Sequence, residues 1–426
     1  MAADPHNVVR LILPKSVPGQ PGEEYYHAAV SLRRWQEEGI LTVDPRPALY
    51  VYEQAVIGEL DQDGAAVTGP GPAPAAETGP AAAADTSVNA DGDYGGMIQR
   101  GLIGALRLVP PEAGIVLPHE DVAPGPVAGR LQLMEATQAN LEPILLLYDG
   151  GSAGQRGAAT RLVDEVAAGE PLVEAVTPDR VRHRLWALTE AAGLAAAAAD
   201  LAPRQALIAD GHHRYAAYLR LQQRCHEAGA GRGPWDFGLA LLVDSAAYPP
   251  RIGAIHRVVP GLDLHDAAKL ASAAFTVRPL PGGSADLAAA DSAHAEASAS
   301  GPAFILAGGE HAYLVTDPDP GQLEAAMPPD RSARWRALPA SVLEKLLITT
   351  VWGLTDDENA VRVVHYDAAA AVRTAQSSCG TAILCRPMSP ADVYEVAARG
   401  EKVPRKSTSF APKPRTGLLM RTFAQS

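Results

Sequence analysis

Cysteine is nearly missing: the chain has only Cys225, Cys379 and Cys385 among its 426 residues. Three thiols cannot build a disulfide framework, and their spacing fits no cysteine-based zinc site, so a reducing, cytoplasmic setting is expected. Aromatic residues are also scarce at 5%, and alanine supplies much of the 47% hydrophobic share. That composition is expected of a soluble globular protein with ample material for buried cores. Cations are in deficit, with 36 Lys and Arg against 49 Asp and Glu, a formal charge of -13. A broad nucleic-acid grip is therefore not expected, because the one basic stretch, near the C-terminal end, is short. Long apolar runs are missing too. Leu239 to Val243 and Leu194 to Ala199 fall far below the roughly 18 residues that cross a bilayer, so no membrane partner is expected. The first residues, Met1-Ala2-Ala3-Asp4-Pro5-His6, place an acid and a proline where a signal peptide needs a basic and then an apolar segment.

What is present alternates between helical and strand patterns. Tyr25, Ala28, Ala29, Leu32 and Trp35 recur at helical spacing across Glu23 to Glu38, and Gly39 follows as a cap. A strand is expected at Ala48 to Tyr52 and another at Gly101 to Val109. Between them, about residues 55–96, Ala, Gly, Pro, Asp and Thr dominate, and a disordered surface insertion is expected. Helices are then expected at Gly129 to Ala139, Ala158 to Ala168, Ala191 to Asp200 and His213 to Ala228. They alternate with strands at Pro143 to Tyr148, His183 to Leu188, Ala206 to Ala209, Phe237 to Val243 and Ile252 to Val259. After Pro260-Gly261 a second series of helices and strands begins, including a helix at Ser341 to Val351 and a last strand at Gly417 to Met420. The fold class is α/β, with α+β as the alternative: a mixed sheet core in residues 1–260 and a smaller second unit in 261–426 whose C-terminal segment returns to the site.

The sharpest local pattern is Asp210-Gly211-His212-His213-Arg214. A buried strand ends at Asp210, Gly211 permits a tight turn, and a helix starts with its unsatisfied amides facing the loop, a place that attracts anions. Arg214 adds a permanent positive fork suited to phosphate. The same residues support two other readings: Asp210, His212 and His213 as ligands of a divalent metal, or Asp210 as a cap with both histidines hydrogen-bonded inside the fold.

Three further clusters carry polar chemistry. His119-Glu120-Asp121 offers an acid/base group, and Arg130 follows on a helix where it can clamp an anion. His256-Arg257 interrupts an apolar strand, and alternation sends the two side chains to opposite faces. Finally, Pro404-Arg405-Lys406-Ser407-Thr408, with Pro412-Lys413, is basic and hydroxyl-rich in an acidic chain, and it lacks the glycines of a Walker loop. Lys406, Ser407, Thr408 and Lys413 are expected close to the Asp210 to Arg214 loop, as a lid.

Several blocks together resemble the bacterial and archaeal family known as domain of unknown function 1015. They include Asn7-Val8-Val9-Arg10-Leu11, Asp44 to Tyr52, Arg100-Gly101-Leu102-Ile103-Gly104, His119-Glu120, His183-Arg184-Leu185-Trp186, Ala209 to Tyr215, His256 to Val259, Lys406-Ser407-Thr408 and Thr416-Gly417-Leu418. Members of that family usually carry a Pro-Pro-Tyr-Asp-Val block before the first of these motifs. Its absence here sets the expectation of a shortened start without a first strand, or of a partly impaired copy. The Asp210 to Arg214 loop is also similar to the Gly-x-His-Arg nucleotide loop of sulfiredoxins and of serine kinases built on the ParB-like fold. That resemblance implies that the loop holds nucleotide phosphates.

The expectation drawn from these residues is an enzyme that binds a nucleotide or a phosphorylated small metabolite and transfers or removes a phosphoryl group. Gly211, His213, Arg214, Lys406, Ser407 and Thr408 would bind ATP or ADP. Asp210, His212, His119 and Glu120 would serve the chemistry, with Asp210 also holding magnesium. The alternatives are a metal-dependent hydrolase using His119, His212, His213 and Asp210, or a ligand-sensing protein without turnover.

Overall fold

An apolar run with no polar alternation must be buried on both faces, and Ile144–Tyr148 is the clearest example. In the computed structural model it lies inside an eight-stranded mixed sheet. The structure describes residues 4–16, 18–57, 97–151 and 156–423. Apart from residues 55–57, the disordered insertion expected at 55–96 lies outside the described residues. The described residues form two units, one of those up to Pro250 together with those from Pro412, the other Arg251–Ala411. The division precedes the expected boundary at Pro260-Gly261 because Ile255–Val259 hydrogen-bonds with two strands of the later unit.

The first unit contains β1 Leu49–Val56, β2 Ile98–Arg107, β3 Val116–Leu117, β4 Ala139–Asn140, β5 Ile144–Tyr148, β6 Val173–Val176, β7 Val181–Leu188, β8 Ala206–Asp210 and β9 Phe237–Asp244. Its sheet runs in the order β3-β8-β5-β9-β2-β1-β7-β6. The β3–β8 and β5–β9 pairs are parallel and the others antiparallel. The helices are α1 Val9–Ile12, α2 Glu23–Glu37, α3 Pro124–Thr137, α4 Ala158–Ala167, α5 Ala191–Leu201 and α6 His212–Glu227. Val127 and Leu131 of α3 and Tyr215 and Tyr218 of α6 cover Ile144, Leu146 and Ile208. Ala159 and Val163 of α4 and Ala197 of α5 cover Val51, Leu102 and Trp186. Each fully buried Leu, Ile or Val contributes about 1.5–3 kcal/mol, so these contacts fix where the strand ends fall.

Two expectations in this unit are corrected. Helix α3 starts at Pro124 rather than Gly129, since proline suits the first helical position, where its missing N–H costs nothing. Gly417 to Met420 is not a strand: Gly417 has φ 98°, a left-handed turn, and the pairing with β4 is made by Arg421–Thr422.

The second unit is built from β10 Arg251–Ile252, β11 Ile255–Val259, β12 Thr276–Pro279, β13 Phe304–Gly308, β14 His311–Thr316, β15 Arg362–His365, β16 Thr381–Leu384 and β17 Phe410–Ala411. Six strands form one sheet in the order β12-β14-β13-β16-β11-β15, and β10 pairs separately with β17. Every pair is antiparallel, so this unit is α+β. The single strand expected at Ile252 to Val259 is thus split between two sheets. Val342–Val351 is helical, as expected, but wound as a π-helix, with the Thr350 hydroxyl donating to the Lys345 carbonyl at 2.7 Å. Among the described residues no helix is long and apolar enough to cross a membrane.

Candidate anion-binding site

Strand β8 ends at Asp210, and the chain turns into α6 through Gly211. Gly211 has φ 98°, and a Cβ there would lie 2.8 Å from Ile144 Cγ2, so no other residue fits without displacement. As the N-cap it brings no side-chain oxygen to the first-turn amides, and that turn contains no acid. A 16-residue helix thus presents the positive end of its dipole at this loop.

Arg214 folds back from the first turn. Its Nη2 donates to Asp210 Oδ2, its Nη1 donates to the Pro143 carbonyl at 3.0 Å, and Nη1 lies 3.6 Å from Glu142 Oε2. Glu142 Oε2 is also 3.3 Å from Arg130 Nη1, and its Oε1 accepts from the Thr416 hydroxyl at 3.4 Å. Lys413 Nζ is 2.8 Å from Asp210 Oδ1. Arg130, Arg214 and Lys413 therefore converge on Asp210 and Glu142.

The backbone that carries Lys413 is held from β1. The Pro412 carbonyl accepts from Gln54 Nε2 at 3.4 Å, and the Arg415 N–H donates to the Tyr52 hydroxyl at 3.1 Å. Burial raises the Tyr52 pKa and lowers that of His183, so both stay neutral. Tyr52 then donates to His183 Nδ1 at 2.8 Å, and His183 Nε2–H donates to the Thr177 hydroxyl at 3.2 Å.

Adjacent residues on a helix point about 100° apart, and the two histidines of the motif take different partners accordingly. His212 Nε2 accepts from the His119 N–H at 3.3 Å, and His213 Nε2 accepts from the Ala123 N–H at 3.0 Å, just ahead of α3. These bonds assign the His212 proton to Nδ1, which lies 3.7 Å from Glu120 Oε2. His119 Nε2 is 3.8 Å from the other oxygen of Glu120, and the His119 and His212 rings meet edge to face at 4.5 Å. The metal set expected from His119, His212, His213 and Asp210 is not assembled. His213 Nε2 meets the Ala123 N–H, while the Asp210 oxygens meet Arg214 and Lys413. Among the described residues no three His, Cys, Asp or Glu side chains converge to hold a metal ion.

Lys406, Ser407 and Thr408 belong to the second unit. There Arg257 Nη2 donates to the carbonyls of Arg405, at 2.9 Å, and Lys406, at 3.1 Å, holding a turn in which Lys406 has φ 52°. His256 Nδ1 accepts from the Cys385 N–H at 3.1 Å, and burial pushes its pKa down to about 4. The His256-Arg257 pair thus has structural duties within that unit. Glu142 and Thr416 were not singled out from the sequence as site residues. The available signal for Glu142 was an acid-proline pair immediately ahead of a wholly apolar strand.

A second acid–arginine cluster lies on the helix-covered face of the same sheet. Glu53, fully buried, accepts from Arg184 Nε at 2.8 Å and Nη2 at 2.6 Å, and from Arg100 Nε on the other side. Arg100 reaches on to the Tyr248 hydroxyl at 3.4 Å and to Asp164 at 3.5 Å.

Among solved structures the chain is similar to a free serine kinase in complex with AMP, at 15% identity over 72% of this chain and 86% of that one, with a TM-score of 0.34. It is also similar to a conserved hypothetical protein from Pyrococcus furiosus, at 15% identity over 73% and 90%, TM-score 0.33. A third is SbnI with a C-terminal truncation, from Staphylococcus aureus, at 12% identity over 72% and 82%, TM-score 0.35. No curated protein matches. The family model described as "Protein of unknown function (DUF1015)" matches residues 1–68 and 87–341, which include the β8–α6 loop, and the chain belongs to that family.

Proposed function

We propose that the protein binds a nucleotide or a phosphorylated small metabolite at the Asp210 to Arg214 loop and transfers or removes a phosphoryl group. The observation that carries this reading is the convergence of Arg130, Arg214 and Lys413 at the start of α6, where the helix dipole adds to their charge. A metaphosphate-like transition state needs positioning and charge neutralisation rather than covalent help from the protein. In this reading the Arg214 fork, Lys413 and the first-turn amides hold the phosphate. Lys413 exchanges Asp210 for the ligand, since its side chain is more than half exposed and its amine is carried on a flexible stem. Glu120 takes the proton from the attacking hydroxyl or water. His212, fixed as the Nδ1–H tautomer by the His119 amide, and His119 itself orient that carboxylate.

Titration calorimetry with ATP and ADP, each with and without magnesium, tests the binding step. Micromolar binding in the wild type that weakens by about tenfold or more in Arg214→Ala is the expected result, because a charge-assisted hydrogen bond contributes about 1.5–3 kcal/mol. A folded sample that gives no heat with either nucleotide rejects the reading. Product release from a bound nucleotide, followed by phosphorus NMR, separates turnover from binding alone.

A further inference from the structure

An acid beside an anion site opposes binding by its charge, so its presence calls for a physical reason. Glu142 lies immediately before β5, where α3, α6 and the 412–416 segment meet. Its backbone carbonyl accepts from the Tyr218 hydroxyl at 3.0 Å, and Tyr218 is buried in the core of the first unit, so the position of residue 142 is set by packing rather than by the cluster. From there its carboxylate lies within 3.6 Å of Arg214 and 3.3 Å of Arg130 and accepts from Thr416. The next residue, Pro143, gives Arg214 a second fixed contact through its carbonyl. Asp210 holds the other η nitrogen of Arg214.

We infer that Glu142 is the positioning residue of this site: it fixes the Arg214 fork and Arg130 in one arrangement and ties both to the segment that carries Lys413. This inference rests on the phosphate-site reading above and adds to it the group that preorganises the cations. A free arginine side chain has rotamer freedom, which it would otherwise lose when the ligand binds. Held from behind by two carboxylates and a carbonyl, Arg214 has lost that freedom in advance.

Charge and positioning predict opposite signs, which makes the inference testable. Removing a negative charge next to an anion tightens binding if charge alone matters, whereas loosening Arg130 and Arg214 weakens it. The experiment is calorimetry with ADP and with inorganic pyrophosphate on wild type, Glu142→Gln and Glu142→Asp, with thermal unfolding of each protein recorded to show that it is folded at the titration temperature. Glu142→Gln is expected to bind both probes about tenfold more weakly despite its extra net positive charge, and Glu142→Asp, unchanged in charge, also more weakly. Equal or tighter binding by Glu142→Gln overturns the inference while leaving the phosphate site standing. Should Glu142→Gln not fold, unchanged affinity in Glu142→Asp overturns it. A wild type that binds neither probe overturns the phosphate-site reading and this inference together.

Discussion

The Glu53 cluster and the Asp210–Glu142 cluster use the same chemistry, carboxylates gripped by arginines within one sheet, and differ in where the strands place them. Glu53 lies in the middle of β1, is closed off by the helix layer, and has no exposed surface. Asp210 and Glu142 lie at strand ends, and their partner Lys413 is 58% exposed. A buried ion pair gains little net stability over an apolar replacement but costs heavily when one partner is removed. A partly solvated cluster can lose or exchange a partner cheaply. The first cluster is therefore suited to holding β1, β2 and β7 in register, and the second to meeting a ligand.

The largest effect that would break this contrast belongs to Glu53→Ala. Stranding Arg100 and Arg184 should destabilise the protein by about 3–5 kcal/mol in urea unfolding; a loss below about 1 kcal/mol would remove the structural role assigned to Glu53. Next comes Gly211→Ala, which forces a left-handed backbone onto alanine and pushes its Cβ against Ile144. A loss of about 3 kcal/mol is expected, with anion binding reduced in the protein that remains folded.

A third test uses pH and a closed site in the second unit. His256 has its pKa lowered by burial from 6.5 to about 4, so between those values the unfolded chain binds a proton that the folded chain does not. Stability from this residue is complete above about pH 6.5 and is lost as pH falls towards 4. About 2 kcal/mol should disappear between pH 7 and pH 5, and His256→Gln should show a correspondingly shallower slope of urea midpoint against pH. The smallest stability effect is expected for Lys413→Met, under about 0.5 kcal/mol because the ion pair is solvated, yet nucleotide affinity should fall several-fold. An equal loss of stability in Lys413→Met and Glu53→Ala would erase the distinction between the two clusters.

The elements with strong local patterns were legible in the sequence. Helix α2 shows the helical stripe of Ala28, Leu32 and Trp35, and β5 and β8 are unbroken apolar runs. The β8–α6 turn was legible because Asp210-Gly211 ends one such run. Strand β6 was not, since all four of its residues are exposed at the sheet edge and show no alternation. The split of β10 from β11 depends on pairing with β17, more than 150 positions later, which no local window contains. The site was half visible for the same reason. Asp210 and Arg214 announce themselves within one motif and Arg130 stands out as a cation on the polar side of a helix, whereas Glu142 and Thr416 are brought to them only by tertiary packing. The contact between His213 Nε2 and the Ala123 N–H, 90 positions apart, lies likewise beyond any local window.

The first unit is discontinuous along the chain, because residues from Pro412 onward join it after the whole of 251–411 has been made. At about 5–20 residues per second, a ribosome needs on the order of ten to thirty seconds to add that intervening stretch. Throughout that interval β8 and α6 have already been synthesised while Asp210 lacks Lys413 and Glu142 lacks Thr416. The cation cluster is therefore finished late in synthesis, and a nascent or prematurely terminated chain carries the Asp210 to Arg214 loop without the lysine that completes the cluster.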